Sequence, residues 1–326
     1  MLFDMTNHEI SAPMALSVSR RTNGYVRGSF SDGRRLGVAI GSGGGAGPVT
    51  LGKLTALQKT GVLDQVDEIH AISVGAINAA ALLAGQGELA LSGYMEMTDK
   101  GFIKKWRLLR VVDMRILERV LRRSDGLDQQ KVAESEIPLH VGVTRLTGGL
   151  KPVSINLTEQ DPEDVIGWLM SGAHLGIAAG PAPKDRHGDV YADGGFSHLS
   201  AIDMAAKVCT DIIYLSNQPY EPDVYKGWQV ALMGAGLSLY DRHAIPAFRR
   251  VVRSQIESRR PICDGDFSYN GANVTAFFPP RPTTPEDALP TLFNTDPRRI
   301  DAGFRIGSMH ALNKIASYFP VPQPVV

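Results

Sequence analysis

The sequence predicts an α/β fold with a mainly parallel sheet, because two strand–turn–helix units follow one another near its start. Leu36–Ile40 is a short and continuously apolar run, as expected of a strand buried on both faces. A glycine-rich turn follows it, and Pro48 then stands at the start of a helical leucine pattern. Glu68–Ile72 is a second such run, and a helix of very small residues is predicted over 74–84. This alternation implies parallel strands joined by right-handed crossovers.

The rest of the chain continues the alternation of strands and helices. Further apolar strands are predicted at 138–143, 190–192, 212–216 and 274–278. Helical patterns cover 93–123, 162–170, 202–208, 228–260 and 297–318. Asp161 and Pro162 are typical of a helix start, and Asp296 and Pro297 repeat the pattern before the last helix.

No repeat, low-complexity tract or linker divides the chain, so a single large domain is predicted over residues 34–320. Residues 1–33 show no sustained period and are interpreted as an N-terminal arm or a short lead-in strand. Residues 321–326 are interpreted as a C-terminal tail.

Composition narrows the class of protein. The 326 residues are 43% hydrophobic and 21% charged, as in ordinary globular proteins. The formal net charge is zero, so nucleic acid is not an expected partner. Cys209 and Cys263 lie far apart without metal-ligand spacing, so neither a disulfide framework nor a metal site is expected.

The expected location is the cytoplasm. The first residues lack the basic-then-apolar pattern of a secretory leader. The longest apolar stretch, around 71–84, is too short and too rich in Gly, Ser and Asn to span a bilayer.

Two turns carry the chemistry. The turn 41–47 (GSGGGAG) offers bare backbone amides at a helix start, and Ser73 follows the second strand within 71–75 (AISVG). A serine on a strand-to-helix elbow can attack a carbonyl, and nearby amides can hold the negative charge that forms on its oxygen. The elbow departs from Gly-x-Ser-x-Gly at Ala71, whose small side chain still permits a tight turn.

The glycine turn has other interpretations. Gly41, Gly43 and Ala46 also fit the spacing of a dinucleotide-binding fingerprint. That site requires an acidic residue at the end of the second strand, where this chain has Ile72 and Ser73. A purely structural turn is the remaining alternative.

The two turns, together with Asp193-Gly194-Gly195 downstream, resemble the patatin-like phospholipase family. That family has a glycine-rich oxyanion loop after its first strand, a serine elbow after the next strand and a later Asp-Gly. The resemblance extends over 36–318. It departs from the family at 45–47, where the family usually has a cation, and at His198-Leu199, where it often has Asn-Pro.

The resemblance implies a three-layer α/β/α fold with a mainly parallel central sheet. It also implies a lipid acyl hydrolase of the phospholipase A or esterase type, working through an acyl-enzyme without metal or cofactor. Ser73 would be the nucleophile and Asp193 the general base. The oxyanion hole and the supporting positions would be formed by Gly43, Gly44 and Gly45, and by Gly75 and Gly194. The alternatives are an acyltransferase and a catalytically inactive lipid-binding protein.

A histidine base is the mechanistic alternative to an Asp193 base. His198 and His243 follow Asp193 and complete the order Ser…Asp…His of ordinary α/β-hydrolases. The pKa of histidine also suits proton transfer at neutral pH. The resemblance favours Asp193 acting without a histidine.

The segment from Phe102 to Arg123 is strongly basic, with a local charge of +6, and apolar residues interleave with its cations. It is interpreted either as a solvated helix face over a core stripe or as a docking surface for anionic phospholipid. The predicted contacts of a peripheral membrane surface are Lys104, Lys105, Arg107 and Arg110.

Overall fold

A computed structural model describes residues 12–104, 111–182, 184–185, 187–219, 237–238, 240, 243–284, 288–291 and 293–318. The helices are α1 Ala12–Asn23, α2 Gly47–Lys59, α3 Val74–Leu83, α4 Gly87–Asp99, α5 Met114–Arg122, α6 Gln129–Ala133, α7 Pro162–Gly172, α8 Ala201–Ala205, α9 Ala244–Arg259 and α10 Pro297–Tyr318. The strands are β1 Leu36–Ile40, β2 Glu68–Ile72, β3 Leu139–Arg145, β4 Lys151–Asn156, β5 Tyr191–Asp193, β6 Asp211–Leu215, β7 Gly265–Tyr269 and β8 Ala272–Phe277.

The strands form one eight-stranded sheet in the order β4-β3-β2-β1-β6-β8-β7, and β5 pairs with β3. The five strands β3, β2, β1, β6 and β8 run parallel. Strands β4, β5 and β7 are antiparallel to their neighbours. The predicted mainly parallel sheet is therefore confirmed.

Apolar side chains from alternate positions of the strands pack into cores on both faces of the sheet. On one face, Val38 and Ile40 join residues of α2, α3 and α7 in a single buried cluster. On the other face, Ala39 and Ile72 pack with α8. Helices therefore cover both faces, which gives the three layers that the family resemblance implied.

The two strand–turn–helix units occur where the sequence predicts them. β1 and β2 pair in parallel, with Val38 opposite Ile69. The unpredicted strands β4 and β7 lie at the two edges of the sheet. Exposed and partly buried residues alternate over most of the length of both strands. They therefore lack the continuous apolar run from which the inner strands are predicted.

The N-terminal interpretation was wrong in one respect. Residues Ala12–Asn23 form a helix rather than an arm or a lead-in strand. Its buried residues include Arg20, whose guanidinium lies 2.7 Å from both Asp32 Oδ2 and Asp67 Oδ2. Ion pairs as well as apolar contacts hold this helix, which explains why it lacks a clear hydrophobic period. The domain boundary after residue 33 remains a prediction.

The close packing of α2 against α10 holds the glycine turn, because α2 begins directly after it. A Cβ atom at Gly307 of α10 would lie 2.1 Å from the carbonyl oxygen of Val49. A Cβ atom at Gly52 of α2 would lie 2.2 Å from the carbonyl oxygen of Phe304. The two helix backbones approach this closely only because glycine stands at both positions.

Candidate active site

Ser73 forms a sharp turn between β2 and α3. Its backbone angles are φ 59° and ψ −133°, a region that residues other than glycine rarely adopt. Gly75 lies so close to the end of β1 that an added Cβ would be 2.8 Å from Ile40 Cγ2 and 3.0 Å from the carbonyl oxygen of Gly41. The elbow is thus strained at the serine and tightly packed at Gly75.

Strand β3 brings Asp193 beside Ser73. Ile72, the last residue of β2, lies opposite Gly142 of β3. β5 also pairs with β3, and its residue Asp193 lies opposite Val143, which follows Gly142 in β3. The end of β2 and the end of β5 therefore meet, which places the Ser73 hydroxyl close enough to the Asp193 carboxyl to influence its pKa.

The turn after Asp193 fits only because Gly194 lacks a side chain. A Cβ atom there would lie 2.3 Å from the carbonyl oxygen of Gly142. The Asp193 backbone is held at both ends: its amide donates to His174 O at 2.9 Å, and its carbonyl accepts the Thr144 hydroxyl at 2.8 Å. The carboxylate is thereby fixed at one position along β3.

The Asp193 carboxyl is buried, with 3% of the residue exposed. Oδ1 accepts the amide of Gly195 at 2.8 Å, whereas Oδ2 lacks a well-oriented hydrogen-bond donor among the described residues. Burial raises the pKa of Asp193 to about 6, and the nearby Ser73 hydroxyl and the Gly195 amide limit that rise. The carboxylate is thus a stronger base than an ordinary aspartate and is still mostly ionised at neutral pH.

The glycine turn lies beside the same region. The amides of Ala46 and Gly47 donate back to the carbonyls of Gly43 and Gly44. The amides that precede them have no acceptor within the helix, as at any helix start, and the positive end of the helix dipole adds to their field. Gly44 and Gly45 line a cavity together with Ser73. Gly43 instead packs on Asn217. A Cβ atom added at Gly43 would lie 2.6 Å from Asn217 Nδ2.

Two buried asparagines that the sequence interpretation missed hold this turn. Asn217 donates to Gly41 O at 3.0 Å and accepts the amide of Thr50 at 3.3 Å. Asn78 donates to Gly47 O at 2.8 Å. Asn217 lies just beyond the end of a parallel strand, where ligand sites gather in α/β sheets, and Asn78 is a polar residue in an otherwise apolar helix. Both features were visible in the sequence.

Lys53 is also part of this support. It is fully buried in α2, and its Nζ donates to Ser216 O at 2.7 Å and to Phe277 O at 2.6 Å. Burial lowers the pKa of this lysine well below its ordinary value. Lys53 therefore ties α2 to the ends of β6 and β8, next to Asn217.

The two candidate histidines lie in different surroundings from Ser73 and Asp193. His198 is buried, and its Nε2 lies 3.2 Å from Val143 O and 3.0 Å from Val153 O. Burial lowers its pKa. Its Nε2 is thus engaged with the backbone of β3 and β4. His243 is exposed and precedes α9.

The cavity beside Ser73 is almost entirely apolar. It is bordered at one end by Gly44, Gly45 and Ser73 and extends between α3, α4 and α5. Its lining includes Ile77, Leu89, Met97, Phe102, Leu117 and Ile300. Such a space suits a hydrocarbon chain attached to a group held at Ser73.

Only part of the basic segment can be compared with its prediction. Lys105, Arg107 and Arg110 lie outside the described residues. Lys104 is paired with Asp113 at 2.8 Å. α5 buries Ile116, Leu117, Val120 and Leu121 beneath exposed charges, which matches a solvated helix face over a core stripe. Within the described part of the chain, every helix is too short or too polar to traverse a bilayer.

Comparison with known proteins identifies the family. A model of the patatin-like phospholipase family matches residues 38–206, which is more than half of the chain. The chain belongs to the patatin-like phospholipase family. The matched range contains the glycine turn, the serine elbow and Asp193. Membership confirms the resemblance seen in the sequence and places the chain among lipid hydrolases.

Solved structures of two proteins match the chain at low sequence identity. VipD from Legionella pneumophila is 14% identical with a TM-score of 0.46, over 87% of this chain and 67% of that one. Human GIVD cytosolic phospholipase A2, solved with methyl γ-linolenyl fluorophosphonate and terbium chloride, is 12% identical with a TM-score of 0.49. That match covers 94% of this family member but 61% of the human chain. A search of curated proteins found no match.

Asp193 is predicted to destabilise the folded chain at neutral pH. A rise in pKa from 3.8 to about 6 corresponds to a cost on the order of 3 kcal/mol when the buried group is ionised. The folded chain holds the proton more tightly than the unfolded chain, so stability falls as pH rises from about 4 to about 6 and stays low above that. Asp193→Asn should therefore be more stable than the wild type at pH 8, by an amount that shrinks toward pH 4.

Urea unfolding at a series of pH values would measure this difference. Asp99→Asn, at an exposed position, serves as the control and should change stability by less than about 0.5 kcal/mol at each pH. A stability gain in Asp193→Asn that is absent at pH 8, or independent of pH, would contradict the buried-carboxylate description.

Proposed function

We propose that the chain hydrolyses carboxylic ester bonds of lipids, as a phospholipase A or an esterase, through an acyl-enzyme on Ser73. Asp193 acts as the general base without a histidine. The observation that carries this proposal is the register along β3, which brings the end of β2 and the end of β5 together. It supports a direct transfer of the Ser73 proton to a buried carboxylate oxygen.

The reaction proceeds in two steps. Ser73 Oγ attacks the ester carbonyl carbon while its proton passes to Asp193 Oδ2, and the negative charge on the carbonyl oxygen is held by amides of the glycine turn. The alcohol leaves with the proton from Asp193, so the acyl group stays on Ser73. Water then attacks the acyl-enzyme with the same base, and the fatty acid leaves as Ser73 regains its proton.

The amides that serve as the oxyanion hole are those of Gly44 and Gly45, since both border the cavity with Ser73. Gly43 keeps the turn against Asn217, and Asn78 anchors its far end. Gly75 and Gly194 have supporting roles, because each allows a backbone approach that a Cβ atom would prevent. Residues 45–47 lack the cation that the family usually has there, but the backbone donors are still in place.

The apolar lining of the cavity supports the acyl chain as the substrate part held by the enzyme. Its volume of about 100 Å³ admits the first carbons of that chain, and each buried methylene group contributes about 0.8 kcal/mol. The alcohol part of the ester would lie on the other side of Ser73.

Covalent labelling is the direct test of this proposal. A long-chain alkyl fluorophosphonate should react with the wild type, since Ser73 Oγ forms a bond to phosphorus as fluoride leaves. Ser73→Ala should not be labelled. Ser92→Ala, at an exposed position in α4, is the matched control and should be labelled like the wild type.

Labelling that persists in Ser73→Ala would remove Ser73 as the nucleophile. An unlabelled wild type would favour an inactive lipid-binding protein. Free fatty acid is the product expected from a long-chain phospholipid, and an acylated alcohol in its place would assign the chain to the acyltransferases.

We also infer a peripheral contact with anionic membranes through Lys104, Lys105, Arg107 and Arg110. Support comes from the neighbourhood of Lys104, since Phe102, Ile103 and Val112 line the apolar cavity and the Lys104 amide donates to Val111 O at 2.7 Å. The described residues on both sides of 105–110 therefore lie beside the cavity. A surface that docks there would present lipid close to Ser73.

Replacing these four cations with Gln should weaken binding to anionic vesicles at low salt. Each cation near such a surface contributes about 1 kcal/mol, and salt screens the contribution. The control replaces four exposed arginines of the α9 region, Arg249, Arg250, Arg253 and Arg260, with Gln. Vesicle flotation would measure both variants, and equal binding by the two at low salt would exclude the docking role.

A further inference from the structure

A buried cluster of metal-ligand side chains lies on the sheet at the opposite end of β2 from Ser73. Glu68 and His70 point to the same face of β2, because side chains alternate along a strand. His140 of β3 is the register partner of His70. Cys209, from the segment before β6, completes the cluster. Glu68, His70 and Cys209 are each at least 90% buried.

The potential ligand atoms converge on the Glu68 carboxylate. Nε2 of His70 and Nε2 of His140 each lie 3.2 Å from Glu68 Oε2. Cys209 Sγ lies 3.4 Å from Glu68 Oε1 and 4.0 Å from His70 Nε2. Glu68, His70 and Cys209 each offer one ligand atom, and these three atoms all lie within 4.8 Å of one another.

These separations are close to those of a tetrahedral zinc shell. Zinc binds oxygen and nitrogen at about 2.0–2.2 Å and sulfur at about 2.3 Å, so neighbouring ligands lie about 3.3–3.6 Å apart. The Cys209–His70 separation of 4.0 Å exceeds this range, and the histidines and Cys209 approach different oxygens of the Glu68 carboxylate, Oε2 and Oε1. Carboxylate, imidazole and thiolate are all ligands that zinc accepts.

A gap in β1 accommodates the sulfur atom. A Cβ atom at Gly37 would lie 2.5 Å from Cys209 Sγ, so the cysteine reaches the cluster only over a glycine.

A surface cavity of about 530 Å³ reaches Glu68 and offers a route for a cation. The carboxylates of Asp67 and Glu136 also border it. Of its two arginines, Arg27 bonds Val66 O and Glu136, and Arg35 lies 3.5 Å from Glu68.

We propose that Glu68, His70 and Cys209 bind a zinc ion, with His140 as the hydrogen-bond partner of Glu68. Binding converts the Cys209 thiol to a thiolate and releases its proton to solvent. The two negative ligands then balance the charge of Zn²⁺, and neutral imidazole supplies the remaining bonds. The ion would join β2, β3 and the start of β6, so it is structural and holds strands whose other ends carry the active-site turns.

Cobalt substitution tests the site through a property that hydrolytic activity does not influence. The full chain, treated with chelator and then titrated with Co²⁺, should bind about one ion and develop a thiolate-to-cobalt charge-transfer band. Zn²⁺ should displace the cobalt and abolish the band. Cys209→Ser should lack the band, whereas Cys263→Ser, which removes the exposed cysteine, should keep it.

His140→Gln removes the imidazole that contacts Glu68 and should weaken Co²⁺ binding about 10–100-fold. Absence of the band in the wild type would overturn the proposal without any variant, so a Cys209→Ser chain that fails to fold does not prevent a decision. A band that survives in Cys209→Ser, or vanishes in Cys263→Ser, would also overturn it. None of these outcomes depends on whether Ser73 is the nucleophile.

Discussion

Two strands share one edge of β3, and the candidate site depends on that sharing. β2 pairs with β3 as far as Gly142, and β5 takes over from Val143 onward. This change in the strand that pairs with β3 leaves the serine elbow and the Asp193 carboxylate side by side. It requires glycine at 194, because a Cβ atom there would lie 2.3 Å from the Gly142 carbonyl oxygen. The chemistry proposed for Ser73 is therefore a consequence of strand register.

Other buried groups offset the unfavourable folding free energy of this arrangement. Ser73 has a rare backbone conformation, and the ionised Asp193 carboxylate is buried without a cation in contact among the described residues. Both are unfavourable for folding and useful for catalysis, a combination common at active sites. Support comes from buried polar groups that bind the backbone of neighbouring turns and strand ends, namely Lys53, Asn78, Thr144 and Asn217.

Local patterns in the sequence predicted β1, β2, their turns and the last helix, because each has an apolar period and a clear boundary residue. The edge strands β4 and β7 were missed because half-exposed strands lack that period. Helix α1 was missed because ion pairs at Arg20 help to hold it. The pairing of Asp193 with Ser73 was inferred from family resemblance, since strand register is a tertiary property. The Glu68–His70–Cys209 cluster was hidden for the same reason: its ligands come from separate segments and meet only in the folded sheet. The sequence offered no metal-ligand spacing to suggest it.

The identity of the general base is the central claim, and turnover of a long-chain ester tests it most directly. Asp193→Asn should lower the rate of fatty acid release about 10²–10⁴-fold while the chain remains folded. His198→Gln keeps a side-chain donor for the carbonyls of Val143 and Val153 and should retain most of the wild-type rate. Near-normal turnover in folded Asp193→Asn, or an equal collapse in folded His198→Gln, would contradict an aspartate acting without histidine.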